Sequence, residues 1–169
     1  MADPEGDSAT AGTGGVYPIL LTGLHQRVAI VVGGGPVGER KVTGLLAASA
    51  RIRVIAPQAT PILQQLAQER RVEWLPRPYQ PGDLAGAFLV FAATNQRSVN
   101  ALVAQEAMAL GALCNVADTP EEGNFHVPAL HRQGDFVVAV GSQYGKNPKR
   151  IKQLRDMIAQ LLADFDTFS

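Results

Sequence analysis

A glycine-rich turn between an apolar run and a helix-forming segment constrains this chain more than any other feature. The run Val28–Val32 is continuously apolar, and Gly33, Gly35 and Gly38 follow it at the spacing G-x-G-x-x-G. Such glycines allow a tight turn, close approach of the backbone to a pyrophosphate, and close packing of a helix on a strand. Pro36 suits the first turn of the next helix, whose free N–H groups attract an anion. A turn without a ligand is the alternative, but this context favours dinucleotide binding.

The composition indicates a soluble protein with one core and, at most, a small appendage. The chain has 169 residues, 46% of them apolar, and its fifteen basic and fifteen acidic side chains cancel. That balance gives no argument for binding nucleic acid or an anionic membrane, and we expect neither partner. The single cysteine, Cys114, fits a reducing compartment. Because no signal peptide or bilayer-spanning run is found, we expect a cytoplasmic protein.

Alternating strand and helix patterns predict the fold of the first two thirds of the chain. Residues 1–15 contain little to bury, and we expect them to form a disordered tail. Over residues 16–118 apolar strands alternate with amphipathic helices in the order β-α-β-α-β-β-α-β. This order predicts an NAD-binding domain of the α/β class, with a Rossmann-type doubly wound parallel sheet.

The pattern changes over residues 119–169, which predict a small β-hairpin followed by a helix. Two short apolar runs, residues 125–130 and 136–140, are separated by a polar turn, which favours an antiparallel pair. The last helix is predicted at about residues 148–165 and has one apolar face. A basic cluster opens it: Lys146, Lys149, Arg150, Lys152 and Arg155. A solvated helix face is the usual interpretation of such a cluster, and an anionic ligand or partner is the alternative.

The carboxyl edge of the predicted sheet is the expected ligand site, because open α/β sheets bind ligands beyond the carboxyl ends of their strands. The usual fingerprint has an acid about twenty residues past the glycines, which binds the ribose hydroxyls. Here the second strand ends without an acid, so Gln58, backbone groups or both must bind the ribose hydroxyls. The sequence therefore does not decide whether the cofactor is NAD or NADP. The candidate cofactor-binding residues are Gly33, Gly35, Pro36, Val37, Gly38, Pro57, Gln58, Thr94 and Asn95.

Asp118 is the candidate catalytic residue, because it follows the fifth predicted strand immediately. A carboxylate beside a cofactor can act as a general base. An Asp that starts a loop by bonding its own backbone near Thr119 is an equally good interpretation. Thr94 and Asn95 have a similar alternative, a turn at the end of a strand. The three histidines lack the spacing of metal ligands, and we predict no metal site.

Five ordered motifs resemble those of one known family. They are VVGGGPVGERK at residues 31–41, VIAP at 54–57, AATNQRSVN at 92–100, CNVAD at 114–118 and NFHVPA at 124–129. In these motifs the chain resembles the precorrin-2 dehydrogenase / sirohydrochlorin ferrochelatase family, the N-terminal module of siroheme synthases. The resemblance covers about residues 16–142, and five ordered motifs are far more specific than one glycine loop.

The resemblance implies oxidation of precorrin-2 to sirohydrochlorin with NAD⁺ as hydride acceptor, and some members also insert Fe²⁺ to form siroheme. The family's catalytic aspartate falls on Asp118, which by this resemblance takes a proton from the tetrapyrrole. Because the substrate carries many carboxylates, which Arg and Lys bind well, its contacts are assigned to Asn115, Ser142, Lys149 and Arg150. A homodimer through the hairpin and the last helix is also implied.

Residues 141–151 depart from the family's pattern, so iron insertion has less support than dehydrogenation. A non-catalytic Rossmann module that senses NAD(H) is the alternative from another functional class. A methyltransferase that uses S-adenosylmethionine also tolerates a glycine loop, but it explains none of the later motifs.

Overall fold

The computed structural model describes residues 15–142 and 147–166, with the side chains of the last helix described as far as Ala163. Its strands and helices are β1 (Val28–Val32), α1 (Pro36–Leu46), β2 (Arg51–Ile55), α2 (Pro61–Gln68), β3 (Glu73–Leu75), β4 (Ala87–Ala92), α3 (Arg97–Ala109), β5 (Leu113–Val116), β6 (Ala129–Gln133), β7 (Phe136–Val140) and α4 (Pro148–Asp166). The described residues divide into two compact units: residues 21–126 form the first, and the second contains residues 15–20 together with the described residues from 127 onwards. Apart from Gly15, the predicted tail lies outside the described residues.

A parallel sheet of five strands, in the order β3-β2-β1-β4-β5, forms the centre of the first unit. β1 pairs with β2 on one side and with β4 on the other, in both cases parallel. The crossovers through α1 and α2 therefore add β2 and β3 on one side of β1, and the crossover through α3 adds β5 beyond β4 on the other side. This arrangement confirms the predicted α/β class and the Rossmann-type doubly wound sheet. Its strand order reverses between β1 and β4, the point where such sheets bind ligands.

Both faces of this sheet are covered, which explains why its strands are apolar throughout. In β1, Ala29 and Val31 belong to one core and Ile30 and Val32 to the other, and all four are at most 1% exposed. Side chains of α1 and α2 complete the first core, and those of α3 complete the second. Cys114 of β5 is fully buried in the second core. The continuous hydrophobicity of the strands thus predicts burial on two faces correctly.

One carboxylate fastens the loop between β3 and β4 to α3. Glu106 accepts hydrogen bonds from the backbone N–H groups of Gly82 and Leu84, both at 3.0 Å, and from the hydroxyl of Tyr79. The side chain of Leu84 is fully buried in the second core. Burial raises the pKa of Glu106, but the three hydrogen bonds outweigh burial and hold that pKa below its ordinary value.

We expect Glu106→Gln to lower the free energy of unfolding by about 1–2 kcal/mol at neutral pH, because a charged acceptor forms stronger hydrogen bonds than an amide. The pKa of Glu106 is depressed in the folded state, so its stabilising contribution is present above the unfolded pKa of about 4.3. The contribution is lost as the pH falls through the folded pKa. Urea unfolding at neutral pH and at about pH 3 measures the difference between wild type and variant, which should shrink at the lower pH.

The control for this experiment is Glu121→Gln, since Glu121 is exposed and has no hydrogen bond or ion pair with the described residues. We expect this variant to unfold like the wild type at both pH values. A Glu106→Gln effect of the same size at both pH values would contradict the anchoring role.

An antiparallel hairpin and a helix form the second unit. β6 and β7 pair from Ala129 opposite Val140 to Gln133 opposite Phe136, and Gly134 begins the two-residue turn with a φ of 52°. α4 packs against both strands. The predicted hairpin and helix are therefore confirmed. Within the described part of the chain, no helix is both long and apolar enough to cross a membrane.

The first predicted run of the hairpin, residues 125–130, is wrong at its start. Phe125 packs edge-on against Phe91 of β4, with ring centroids 5.5 Å apart, and so joins the core of the first unit. β6 begins only at Ala129 and continues to Gln133, which was expected in the turn. Pro128 has no N–H to donate to a strand ladder, which accounts for a start after it.

Candidate functional site

The glycine loop lies where the strand order reverses, and two of its glycines are packed against backbone. Gly33 has a φ of 125°, and a Cβ built on it would overlap the carbonyl oxygen of Ala93, the residue after β4. A Cβ on Gly38 would overlap the carbonyl oxygen of Gly33. Since no side chain fits at either position, these two glycines hold the start of α1 against the ends of β1 and β4.

Gly34, which the spacing pattern does not include, is enclosed just as tightly. A Cβ there would overlap the carbonyl oxygen of Gln58, and the Gly34 carbonyl accepts a hydrogen bond of 2.9 Å from the N–H of Thr60. Sequence reasoning missed this role, although a glycine between the two glycines of the pattern was a signal for it. The loop therefore also fixes the turn that follows β2.

Gly35 and Pro36 form the open part of the loop. Both are exposed, and a Cβ on Gly35 would have no neighbour within 4 Å. Gly35 is the N-cap of α1 and provides no capping side chain, so the N–H groups of Val37 and Gly38 have no cap, whereas the N–H of Glu39 donates to the Gly35 carbonyl at 2.9 Å. Open space beside a bare backbone and an uncapped helix start fits the pyrophosphate of a dinucleotide.

The turn after β2, where an acid would bind a ribose, has no acid, and the backbone of its first residue, Ala56, is engaged. The N–H of Ala56 donates to the carbonyl of Leu75 at 3.2 Å, and the Ala56 carbonyl accepts from Trp74 Nε1 at 2.9 Å. Pro57 and Gln58 follow and are exposed. The backbone of Ala56 is thus already engaged, and the exposed side chain of Gln58 stays a candidate for the ribose hydroxyls beside the backbone groups that follow it.

A fully buried asparagine builds the turn after β4. Oδ1 of Asn100 in α3 accepts from the N–H of Thr94 at 3.1 Å and from its hydroxyl at 2.7 Å, and Nδ2 donates to the Thr94 carbonyl at 3.1 Å. The Thr94 hydroxyl also bonds the backbone of Gln96. The Thr94 side chain is thus engaged in the strand-end turn. Asn95 is exposed at the tip of this turn.

Asp118 lies two residues beyond β5, at the same edge of the sheet as the glycine loop. Its side chain is exposed and forms no hydrogen bond or ion pair with any described residue. The 3₁₀ turn that follows, Pro120–Glu122, has Thr119 as its N-cap, without a side-chain hydrogen bond. The structure therefore gives no support to the loop-initiating interpretation of Asp118 and leaves its carboxylate available for chemistry.

Asn115, a predicted substrate contact, is held inside the first unit. It is 7% exposed, and its Nδ2 donates to the carbonyl of Phe125 at 3.1 Å. Asn124 fastens the same segment, because its Oδ1 accepts from the N–H of Cys114 at 2.7 Å and its Nδ2 donates to the carbonyl of Ala112 at 3.2 Å. Both asparagines thus hold Phe125 beside β5.

In the second unit, Ser142 and Arg150 line one cavity of about 350 Å³ between the end of β7 and the start of α4. Lys149 is exposed and does not line this cavity. Of the predicted basic cluster, Arg155 pairs with Asp156 at 2.5 Å, and Lys146 lies outside the described residues. The structure therefore brings together two of the three substrate residues that were predicted in this unit.

A protein family described as "Putative NAD(P)-binding" matches residues 20–129. The chain belongs to this family. The NAD(P)-binding match includes the glycine loop and the turns after β2, β4 and β5, so it covers every element that forms the carboxyl edge of the sheet.

Relatives of this NAD(P)-binding chain include siroheme synthases and a dehydrogenase. Siroheme synthase 1 of Aeromonas salmonicida is 40% identical over 146 residues, which are 86% of this chain and 31% of the relative. The siroheme synthase of Chromobacterium violaceum is 40% identical over 146 residues, which are also 86% of this chain and 31% of that relative. The chain thus spans 31% of the length of these curated relatives. A solved structure, SirC, precorrin-2 dehydrogenase, is 27% identical with a TM-score of 0.76, and the match covers 86% of this chain and 70% of SirC.

We expect Gly35→Ala to fold normally and to weaken NAD⁺ binding at least about tenfold, equivalent to about 1.4 kcal/mol. The new Cβ would meet no protein atom but would occupy the space beside the helix start that fits a pyrophosphate. Titration calorimetry with NAD⁺ measures the affinity, and thermal unfolding measures the stability.

Two further alanine variants separate binding from folding. Gly38→Ala should lower both affinity and stability, because its Cβ overlaps backbone. Gly44→Ala, at an open and exposed position in α1, should stabilise the protein by about 0.5–1 kcal/mol without changing affinity. Unchanged NAD⁺ affinity in a well-folded Gly35→Ala variant would show that the pyrophosphate binds elsewhere.

Proposed function

We propose that this chain is an NAD-dependent precorrin-2 dehydrogenase, which oxidises precorrin-2 to sirohydrochlorin in siroheme biosynthesis. The observation that carries the proposal is the exposed, unengaged carboxylate of Asp118 at the sheet edge that also holds the glycine loop. The likeness to SirC and to siroheme synthases supports the choice of substrate. We further propose the cytoplasm as its location, as expected from the sequence.

The cofactor in this proposal is NAD⁺, which when bound supplies a hydride acceptor. The uncapped first turn of α1, with Gly35, Pro36 and Val37, would hold its pyrophosphate, and Gln58 would hold a ribose. A 2′-phosphate is usually met by an arginine near this turn, and the residues between β2 and α2 include none. That composition supports NAD rather than NADP.

Asp118 is the proposed general base. Oxidation of precorrin-2 to sirohydrochlorin removes one hydride and one proton, and a carboxylate without an internal partner can accept the proton. The proposed substrate contacts are Ser142, Lys149 and Arg150, whereas the buried amide of Asn115 holds Phe125 in place. Their cationic members, Lys149 and Arg150, are exposed and carry the charge that substrate carboxylates need.

Iron insertion is a further activity that the same assay tests. The described ranges contain no group of three or more His, Cys, Asp or Glu side chains that could hold a metal. Fe²⁺ would therefore be a substrate of the insertion reaction, taken up by the tetrapyrrole, and not a resident cofactor of the protein.

We expect Asp118→Asn to reduce the rate of precorrin-2 oxidation by about 10²–10⁴-fold, the usual effect of removing a general base. NAD⁺ affinity should stay the same, because the substitution conserves shape and leaves the glycine loop untouched. Anaerobic incubation with precorrin-2 and NAD⁺, with and without Fe²⁺, is followed by absorbance. Sirohydrochlorin that never becomes siroheme identifies a dehydrogenase without chelatase activity.

The matched control is Glu121→Gln, an exposed carboxylate three residues further on, which should keep full activity. Normal turnover by Asp118→Asn would exclude this residue as the base. No sirohydrochlorin from the wild-type protein under any condition would instead favour an NAD(H)-sensing module.

We also propose a homodimer that forms through the second unit. α4 exposes an apolar stripe of Leu154, Met157 and Leu161, which are 48%, 65% and 68% exposed, and β7 exposes Phe136 and Val137. The helical spacing i, i+3, i+7 places the first three on one face. An exposed apolar face of this kind is typical of a protein–protein interface.

Met157→Glu is expected to convert the dimer to a monomer, because burying a charge without a partner is strongly unfavourable. Size-exclusion chromatography with light scattering measures the mass. Lys152→Glu, which introduces the same side chain at another exposed position of α4, should leave the dimer intact. A wild-type protein that is monomeric at assay concentration would refute the dimer.

A further inference from the structure

Lys41 of α1 places a half-buried ammonium at the ligand edge of the sheet. Its Nζ lies over the ring of Phe91, 5.5 Å from the centroid, and Phe91 is the next-to-last residue of β4. Side chains on a helix lean toward its N-terminus, which for α1 is the glycine loop. The ammonium is therefore held toward the carboxyl edge rather than on the outer surface of α1.

Phe91 and Phe125, which we call the aromatic shelf, connect this lysine to the residues near Asp118. The two rings meet edge to face at 5.5 Å with an interplanar angle of 80°. Asn115 lies opposite Phe91 in the β4–β5 register and donates to the carbonyl of Phe125. Asp118 follows Asn115 by three residues, so Lys41, the shelf and the proposed base belong to one region of the first unit.

No described residue compensates the charge of Lys41. Its ammonium forms no ion pair or hydrogen bond with the described residues and contacts only the ring of Phe91 among their aromatic groups. Burial, with a smaller contribution from the neighbouring Arg40, lowers the pKa of Lys41. A cation that has lost part of its hydration and has no internal anion gains from an anionic ligand.

A second cation in this fold also lies over an aromatic ring, but at the other edge of the sheet. Arg27 lies over the ring of Phe88 at 5.3 Å, but Phe88 is near the start of β4, at the opposite edge of the sheet, and Arg27 is exposed. Arg27 thus makes the same kind of contact away from the ligand edge, which makes it a matched control.

We propose that Lys41 is a substrate-binding residue, whose ammonium, held over the buried ring of Phe91, pairs with a side-chain carboxylate of the tetrapyrrole. This inference rests on the proposed dehydrogenase function. It assigns Lys41 to recognition of the substrate's negative charge, whereas Asp118 accepts the proton.

Lys41→Met tests the proposal, because methionine keeps an unbranched apolar side chain over Phe91 and removes the charge. We expect the KM for precorrin-2 to rise about tenfold with kcat changed less than about twofold, the pattern of a lost binding interaction. The KM for NAD⁺ and the thermal unfolding temperature should not change. Lys41→Arg should restore most of the affinity, and Arg27→Met should behave like the wild type.

Equilibrium binding of sirohydrochlorin, followed by absorbance, gives a second measurement that does not depend on turnover. Lys41→Met should bind this product about tenfold more weakly than the wild type. Unchanged KM and unchanged product affinity in a folded Lys41→Met variant would overturn the inference while leaving the dehydrogenase proposal intact. A wild-type protein that neither oxidises precorrin-2 nor binds sirohydrochlorin would reject the proposed function, and the role of Lys41 with it.

Discussion

Close contact between backbone segments, made possible by the absence of side chains at Gly33, Gly34 and Gly38, is the constraint on which the ligand edge depends. These three glycines bring the end of β1 against Ala93 beyond β4 and against the turn at Gln58 beyond β2. A single methyl group at any of them would separate elements that the strand order places side by side. The space beside Gly35 is a defined gap because Gly33, Gly34 and Gly38 around it are in close contact with backbone. The loop thus holds the strand ends together and leaves one gap for a ligand.

Polar groups at this edge fall into two classes with different physical states. Asn100 and Asn115 are buried and bonded to the chain, and every buried side-chain polar atom in the described residues has a partner. Buried amides without partners are costly, so their bonds fix the backbone firmly. Gln58, Asn95 and Asp118 are instead exposed at the ends of three different strands. The first class shapes the edge, and the second is available to ligands.

Local features of this chain were predictable from the sequence, and contacts between distant residues were not. The N-cap of α2 is such a local feature: the Thr60 hydroxyl accepts from the N–H of Leu63 at 3.3 Å, and capping depends on neighbours three residues apart. The hydrogen bond from Gly82 to Glu106 joins residues 24 positions apart, and the hydrophobic periodicity of the sequence does not indicate it. Phe125 looked like a strand residue for the same reason, since its apolar character does not say which unit buries it.

The candidate site shows the same division. The glycine spacing and the position of Asp118 after the fifth strand could be read directly, whereas the AAT-to-Asn spacing was carried by family resemblance alone. The structure supplies its physical basis: the Asn100 amide accepts from the N–H of Thr94 and donates to the Thr94 carbonyl. The role of Gly34 and the lack of a charge partner for Lys41 depend on tertiary contacts, which no pattern in one sequence reveals.

Burial of Cys114 in β5 has a consequence for the chemistry of the whole protein. Burial raises the pKa of its thiol to about 11, so the sulfur is neutral at physiological pH and shielded from oxidants and electrophiles. Asn124 closes over this strand by bonding the Cys114 N–H, and its own N–H donates to the Cys114 carbonyl. A reagent can therefore reach the sulfur only when this region opens. The rate of thiol labelling would report local opening of β5, the strand that precedes the proposed base.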